Sequence, residues 1–190
     1  MGNAVKVVRY NGYAVVVKYD ECPESPREWG NLGKLFLKTR SVYKTECKED
    51  GLEKARVKIP VYKYEHSGVC LQASTGGNPF SCPWDSCLAG YVVAFADDIR
   101  KNYGVKRVTK KIVEKVTELL IGEVKTYSQY IEGEVYGFVA YKVDNGVADG
   151  DVEDEGEQLD SCWGFYSVED ALNEGKDTLP EEAFATPVTA

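Results

Sequence analysis

Between Thr109 and Ile131 apolar side chains recur at Ile112, Val113, Val116, Leu119, Leu120, Val124, Tyr127 and Ile131, the three- and four-residue spacing that puts them on one face of a helix. Thr109 is placed to cap its start and Gly133 to end it. Lys110, Lys111, Glu114, Lys115, Glu118 and Lys125 fall off the stripe. A stripe this broad must lie on a sheet or a second helix. The rest of the chain is patterned mainly as strands, which narrows the choice to a sheet.

The strongest strand signal is AVKVVRY, Asn11-Gly12, YAVVVKY over residues 4–19. Asn-Gly between β-branched runs predicts a hairpin closed by a type I′ turn. Further strands are expected at Leu35–Lys38, at Val57–Tyr62 with Pro60 at an edge or bulge, at 90–96, at Val135–Lys142 and at Asp160–Tyr166. Asp97 or Asp98 can cap a short helix ending at Gly104, and Ser167 another through about Asn173. The segment from Asp20 to Gly33 reads as an ordered loop pinned by Trp29, and residues 43–56 are charged and poorly patterned. The expected fold is α+β: a mainly antiparallel sheet with one long amphipathic helix, about 109–131, packed on one face. Residues 1–175 are expected as a single domain and 176–190 as an acidic mobile tail.

No run approaches the roughly 20 apolar residues of a membrane span, and the first residues lack a signal-peptide core, so a cytoplasmic protein with no membrane partner is expected. Gly2 is not followed by the Ser or Thr at position 6 that a myristoylation start requires, since Lys6 stands there. Six cysteines in 190 residues are too few and too scattered for a disulfide framework, and most are expected reduced. Charge is uneven: from Asp144 onward 14 acidic residues face one lysine, while the first 143 residues carry 22 basic and 17 acidic groups. The body is mildly basic, so direct nucleic-acid binding is not favoured. Residues 144–160 hold eight acidic and no basic side chains, which predicts a long flexible hairpin loop.

The unusual chemistry gathers between Val61 and Tyr91, around the only histidine, His66. His66 and Cys70, followed by Cys82 and Cys87, are four soft ligands in two pairs, which a zinc ion could bind as a tetrahedron in a structural module. Cys82 or Cys162 with His66 and Asp85 or Asp160 would supply thiol, imidazole and carboxylate to a thiol-dependent hydrolase or transferase. Glu65, Asp85 and Asp160 could also take a hard cation, though solvated surface is the commoner fate of such groups. Thr75-Gly76-Gly77-Asn78 lacks the lysine and helix start of a phosphate loop and reads as a turn. Exposed aromatics beside polar loops, Trp84 and Trp163 above all, have the composition of a protein-binding face.

Several blocks carry a resemblance: DECPESPREWGNLG from Asp20 to Gly33, PVYKYEHSG from Pro60 to Gly68, FSCPWDS from Phe80 to Ser86, YGVKRVTKK from Tyr103 to Lys111, YIEGEVYGF from Tyr130 to Phe138 and DSCWGFY from Asp160 to Tyr166. In these the chain resembles a group of uncharacterised accessory proteins encoded by tailed phages and prophages. The family pattern has cysteines matching Cys82 and Cys162 and a histidine matching His66, but none matching Cys70 or Cys87. It also shows a Cys, Trp, His and Arg-rich segment where this chain has KLFLKTRSVY.

The resemblance implies a phage-encoded protein acting in the host cytoplasm, most simply a non-enzymatic inhibitor or modulator that binds a host defence or nucleic-acid-processing machine. The partner is then a host or phage protein, and no cofactor is required. The acidic run, with Asp149, Asp151, Glu153, Asp154 and Glu155, is the candidate mimic of a phosphate backbone.

Overall fold

The structure, a computed structural model, describes residues 4–38, 46 and 49–185. In chain order its regular elements are β1 (Ala4–Tyr10), β2 (Tyr13–Tyr19), β3 (Lys34–Leu37), β4 (Val57–Glu65), β5 (Val69–Ala73), β6 (Ser86–Ala94), α1 (Ala96–Tyr103), α2 (Lys110–Glu132), β7 (Tyr136–Lys142), α3 (Val152–Glu155), β8 (Glu157–Phe165) and α4 (Val168–Asp177). The fold is α+β, with two four-stranded antiparallel sheets among the described residues and one long helix. Contacts divide the chain into two compact units, Met1–Glu24 with Gly133–Ala190, and Ser25–Glu132. No described helix is long and apolar enough to cross a membrane.

In the first unit the strand order is β1-β2-β7-β8. The 4–19 segment forms the expected hairpin, with Tyr10 opposite Tyr13. Its turn differs from expectation: only Gly12 has positive φ, 72°, and Asn11 does not, so it is not type I′. Neighbours explain this. The Gly12 N–H donates to Asn145 Oδ1 at 2.8 Å, Asn145 Nδ2 donates to Asn11 Oδ1 at 3.1 Å, and the Asn11 N–H donates to Ala183 O at 3.1 Å. Tertiary bonds have overridden local preference.

The alternation of β2 and β7 feeds two cores. Tyr13, Val15, Phe138 and Ala140 pack with Leu172, Leu179 and Ala183 on one face, while Ala14, Val16, Val139 and Tyr141 pack with Val143 and Val152 on the other. Ser167 caps α4 as read, its Oγ accepting from the N–H groups of Glu169 and Asp170. The described part of the expected tail, 176–185, packs back on the sheet through Leu179 and Ala183, both buried.

In the second unit the order is β3-β6-β4-β5. Val116, Leu120, Val124 and Tyr127 of α2 are buried against Ile59, Val61, Leu71, Val92 and Ala94, each fully buried aliphatic contributing on the order of 1.5–3 kcal/mol. Leu119 is the member of the expected stripe that falls outside it, at 39% exposed. The opposite face of the sheet buries Phe36 and Val93 under Leu52, from the short turn Glu49–Lys54. The rest of the charged stretch 43–56 lies in part outside the described residues.

Pro60 sits in β4, between β5 and β6. Its carbonyl accepts from the Ser74 N–H at 3.0 Å, one residue past the end of β5, so its missing N–H faces a side where the ladder has run out. The register shifts by one residue just beyond, between Val61 and Tyr62. At the free edge of β5 the Leu71 N–H donates to Ser128 Oγ of α2 at 2.8 Å, which satisfies a group that an edge strand would leave open. Helix α1 ends at Gly104, in the left-handed region as expected, but starts after Phe95 without a side-chain cap from Asp97 or Asp98.

Candidate functional site

The stretch from His66 to Cys87 is irregular over most of its length, but one strand interrupts it. β4 runs on to Glu65, turns at His66–Gly68 and returns as β5, and β6 already begins at Ser86. Residues 66–68 and 74–85 are irregular. This register decides which candidates meet. Cys70 stands opposite Tyr64, and Cys87 stands opposite Lys63. Successive residues of a strand point to opposite faces, so the two thiols are directed to opposite sides of the sheet. Cys70 is half-buried with its Sγ 3.6 Å from Ser128 Oγ, whereas Cys87 is exposed. Among the described residues no three His, Cys, Asp or Glu side chains are grouped to hold a metal ion.

His66 and the Cys82–Asp85 turn do share one end of the sheet, because the Glu65 N–H donates to Asp85 O at 2.8 Å. The imidazole is exposed, and the hydrogen bond at this residue is between its backbone N–H and Gly68 O, 3.2 Å. The partner of Cys82 is instead Asp85, whose Oδ2 lies 3.1 Å from the thiol Sγ. A carboxylate that accepts the thiol proton closes a turn. It does not make the base–nucleophile pair that a thiol enzyme needs. Cys162 and Asp160 belong to β8 in the other unit. There the Cys162 Sγ lies 3.9 Å from Trp163 O, and Asp160 Oδ1 accepts from the Ser161 N–H at 2.8 Å.

The turn itself is densely bonded. Ser86 Oγ donates to Cys82 O at 2.5 Å, Asn78 Nδ2 donates to Ser86 Oγ at 2.9 Å, and the Phe80 N–H donates to Asn78 Oδ1 at 3.1 Å. The Phe80 ring packs on Tyr64 with centroids 5.5 Å apart. The 75–78 segment is a turn, as read, its Gly76 N–H donating to Ser74 Oγ. At the tip Trp84 is 93% exposed. Leu88, opposite Tyr62, is also exposed, and Lys63 and Glu65, on the face of Cys87, form an ion pair. Here a large aromatic with no cover is held on a stiffened turn next to a partly exposed Tyr64–Phe80 pair.

Trp163 is a different case. At 45% exposed it is half engaged, its ring lying on Gly137, where an added Cβ would come within 2.1 Å of Trp163 Cε3. The acidic run is ordered rather than the flexible loop expected. Val152 is fully buried, α3 forms around it, Arg9 donates to Val147 O and pairs with Asp149 at 3.5 Å, and Lys18 pairs with Glu153. Counting charge within the run alone missed the cations supplied by β1 and β2. Asp151, Asp154 and Glu155 remain exposed.

One cluster escaped the sequence reading. Arg27 Nε and Nη2 donate to Glu46 at 2.9 and 2.6 Å, and its Nη2 also donates to Gly33 O at 2.7 Å. Arg27 Nη1 faces Glu123 Oε2 at 3.7 Å, and Glu123 accepts from the N–H groups of Leu32 and Gly33 at 2.9 Å each. Burial holds the Glu123 carboxyl above the usual glutamate range, against the lowering effect of those N–H groups and of Arg27. This cluster ties the Arg27–Gly33 part of the loop to α2, and Trp29 within that part is 46% exposed. The available signal was Glu123 itself, a charge inside the apolar stripe between Leu120 and Val124. No protein-family model, no curated protein and no solved structure matches the chain.

Proposed function

We propose that this chain is a non-enzymatic protein-binding accessory protein, phage-encoded, that modulates a host defence or nucleic-acid-processing machine, with Trp84 as its anchor. The observation that carries the reading is the 93% exposure of Trp84 on a turn tied by Cys82, Asp85, Asn78 and Ser86. An uncovered indole is unfavourable in water, whereas tryptophan is the residue most enriched at binding hot spots. A turn already fixed loses little freedom when a partner closes over it. The resemblance to phage proteins supports a partner from the infected host. The acidic run contributes less to this reading, because Asp149 and Glu153 are already neutralised by Arg9 and Lys18.

The test is capture from host lysate on immobilised wild-type chain beside Trp84→Ala. A protein held by the wild type and released by the variant supports the reading. Identical capture by both, or nothing held by either, removes it.

A further inference from the structure

The charge of the chain is divided by its fold. Ser25–Glu132 carries 18 basic against 13 acidic side chains, and the remainder carries 5 against 18. Within the basic unit the excess is concentrated further: from Arg100 to Lys111 there are six cationic residues and no acidic one. These residues span the end of α1, the 104–109 connection and the first turn of α2. Apart from Arg100, which pairs with Asp97, none of Lys101, Lys106, Arg107, Lys110, Lys111 or Lys115 has a carboxylate partner among the described residues, and all six are exposed.

The connection that carries them is anchored. Tyr103, Val108, Ile112 and Val113 pack against the core of the unit, and the Val105 N–H donates to Arg100 O at 3.1 Å. With those side chains turned inward, the intervening cations are held on the outside. On one flank Lys101 and Lys34 line an open hollow of about 420 Å³ with Asn31, Asn102 and Asp98.

We infer that this ridge, Lys101 to Lys115, is a contact surface for the phosphate backbone of duplex nucleic acid. Composition selects this partner over an acidic protein. Protein interfaces centre on aromatic and apolar side chains and are poor in lysine, whereas nucleic-acid interfaces are polar and strongly cationic. From 100 to 115 the one aromatic is the half-buried Tyr103, so the ridge offers charge to phosphates and no platform for stacking unpaired bases. Glu114 is the one acidic side chain between Lys101 and Lys115, and Glu118 lies beyond them along α2. The overall charge conceals the surface because the acidic unit outweighs it. The inference goes beyond the protein-binding role of Trp84 and does not depend on it.

The test uses the full chain and a fluorescein-labelled DNA duplex of about 20 base pairs, titrated between about 50 and 200 mM KCl. Four phosphates neutralised by Lys106, Arg107, Lys110 and Lys111 give a slope of log K against log salt of about −3.6. Changing all four to Ala should abolish measurable binding, and each single change should reduce the slope by about 1. Lys54→Ala with Lys125→Ala, outside the ridge, should leave it unchanged. If the fourfold Ala variant does not fold, the same four positions changed to Gln carry the test. Three results would overturn the inference: no binding at the lowest salt, a fourfold variant that binds like wild type, or poly-glutamate binding through these residues as tightly as the duplex.

Discussion

The Sγ of Cys82 lies 3.1 Å from Oδ2 of Asp85, and the residue they enclose with Pro83 is Trp84. This bond ties the two ends of the turn across the one indole that stands almost wholly in water. Cys82→Ala should therefore loosen the presentation of Trp84 while costing only about 1 kcal/mol of stability. Hydrogen exchange at the Glu65 N–H, which donates to Asp85 O, should quicken in the variant. Unchanged exchange would show that the remaining bonds hold the turn by themselves.

Gly137 makes room for the Trp163 ring, and Gly137→Ala would place a methyl 2.1 Å from Cε3. The expected loss is about 1–3 kcal/mol, from forced displacement of the ring and of the Cys162 carbonyl, which the methyl would approach to 2.8 Å. Denaturant unfolding measures it. A variant as stable as wild type would show that the indole moves aside freely, and would return Trp163 to the candidates for binding.

Val152 is buried in the middle of the acidic run, so Val152→Ala should destabilise by about 1–3 kcal/mol. Lys18→Ala should expose the run to faster proteolysis between β7 and β8, because Glu153 loses its cation. Limited digestion with a Glu-specific protease reports both variants. Cleavage at the wild-type rate in both would mean that the run is not held by these contacts.

Glu123 gives a pH signature. Burial raises its carboxyl above the ordinary glutamate value, so the folded chain holds that proton more tightly than the unfolded chain. Stability from this group is therefore greatest below the unfolded value and declines as pH rises through the raised one. Glu123→Gln should remove that decline, while lowering stability at every pH because an amide NH2 would replace one of the oxygens accepting from Leu32 and Gly33. Melting temperatures measured across that range check it, and an equal decline in both proteins would assign it elsewhere.

Local patterns were legible wherever one element decides its own form. The α2 stripe, the 4–19 hairpin, the Ser167 cap and Gly104 all follow from periodicity or backbone sterics. What long-range partners decide was not legible. Asn11 departs from a type I′ turn because Asn145 and Ala183 grip it from far along the chain. The acidic run is ordered by Arg9 and Lys18, more than 130 residues away. Cys70 and Cys87 look like ligands of one site until the register puts their neighbours Tyr64 and Lys63 on opposite faces. Trp84 was read from its loop composition, but its near-total exposure and the bonds that stiffen its turn depend on how residues 78–86 fold back on one another at the end of the sheet.

If Trp84 is the anchor for a protein partner, calorimetry must show it in the affinity of the captured protein for wild type and for Trp84→Ala. A buried tryptophan hot spot contributes about 2 kcal/mol or more, so Kd should rise roughly 30-fold or beyond in the variant, with its melting temperature unchanged. Equal Kd values for the two proteins would remove Trp84 as the anchor.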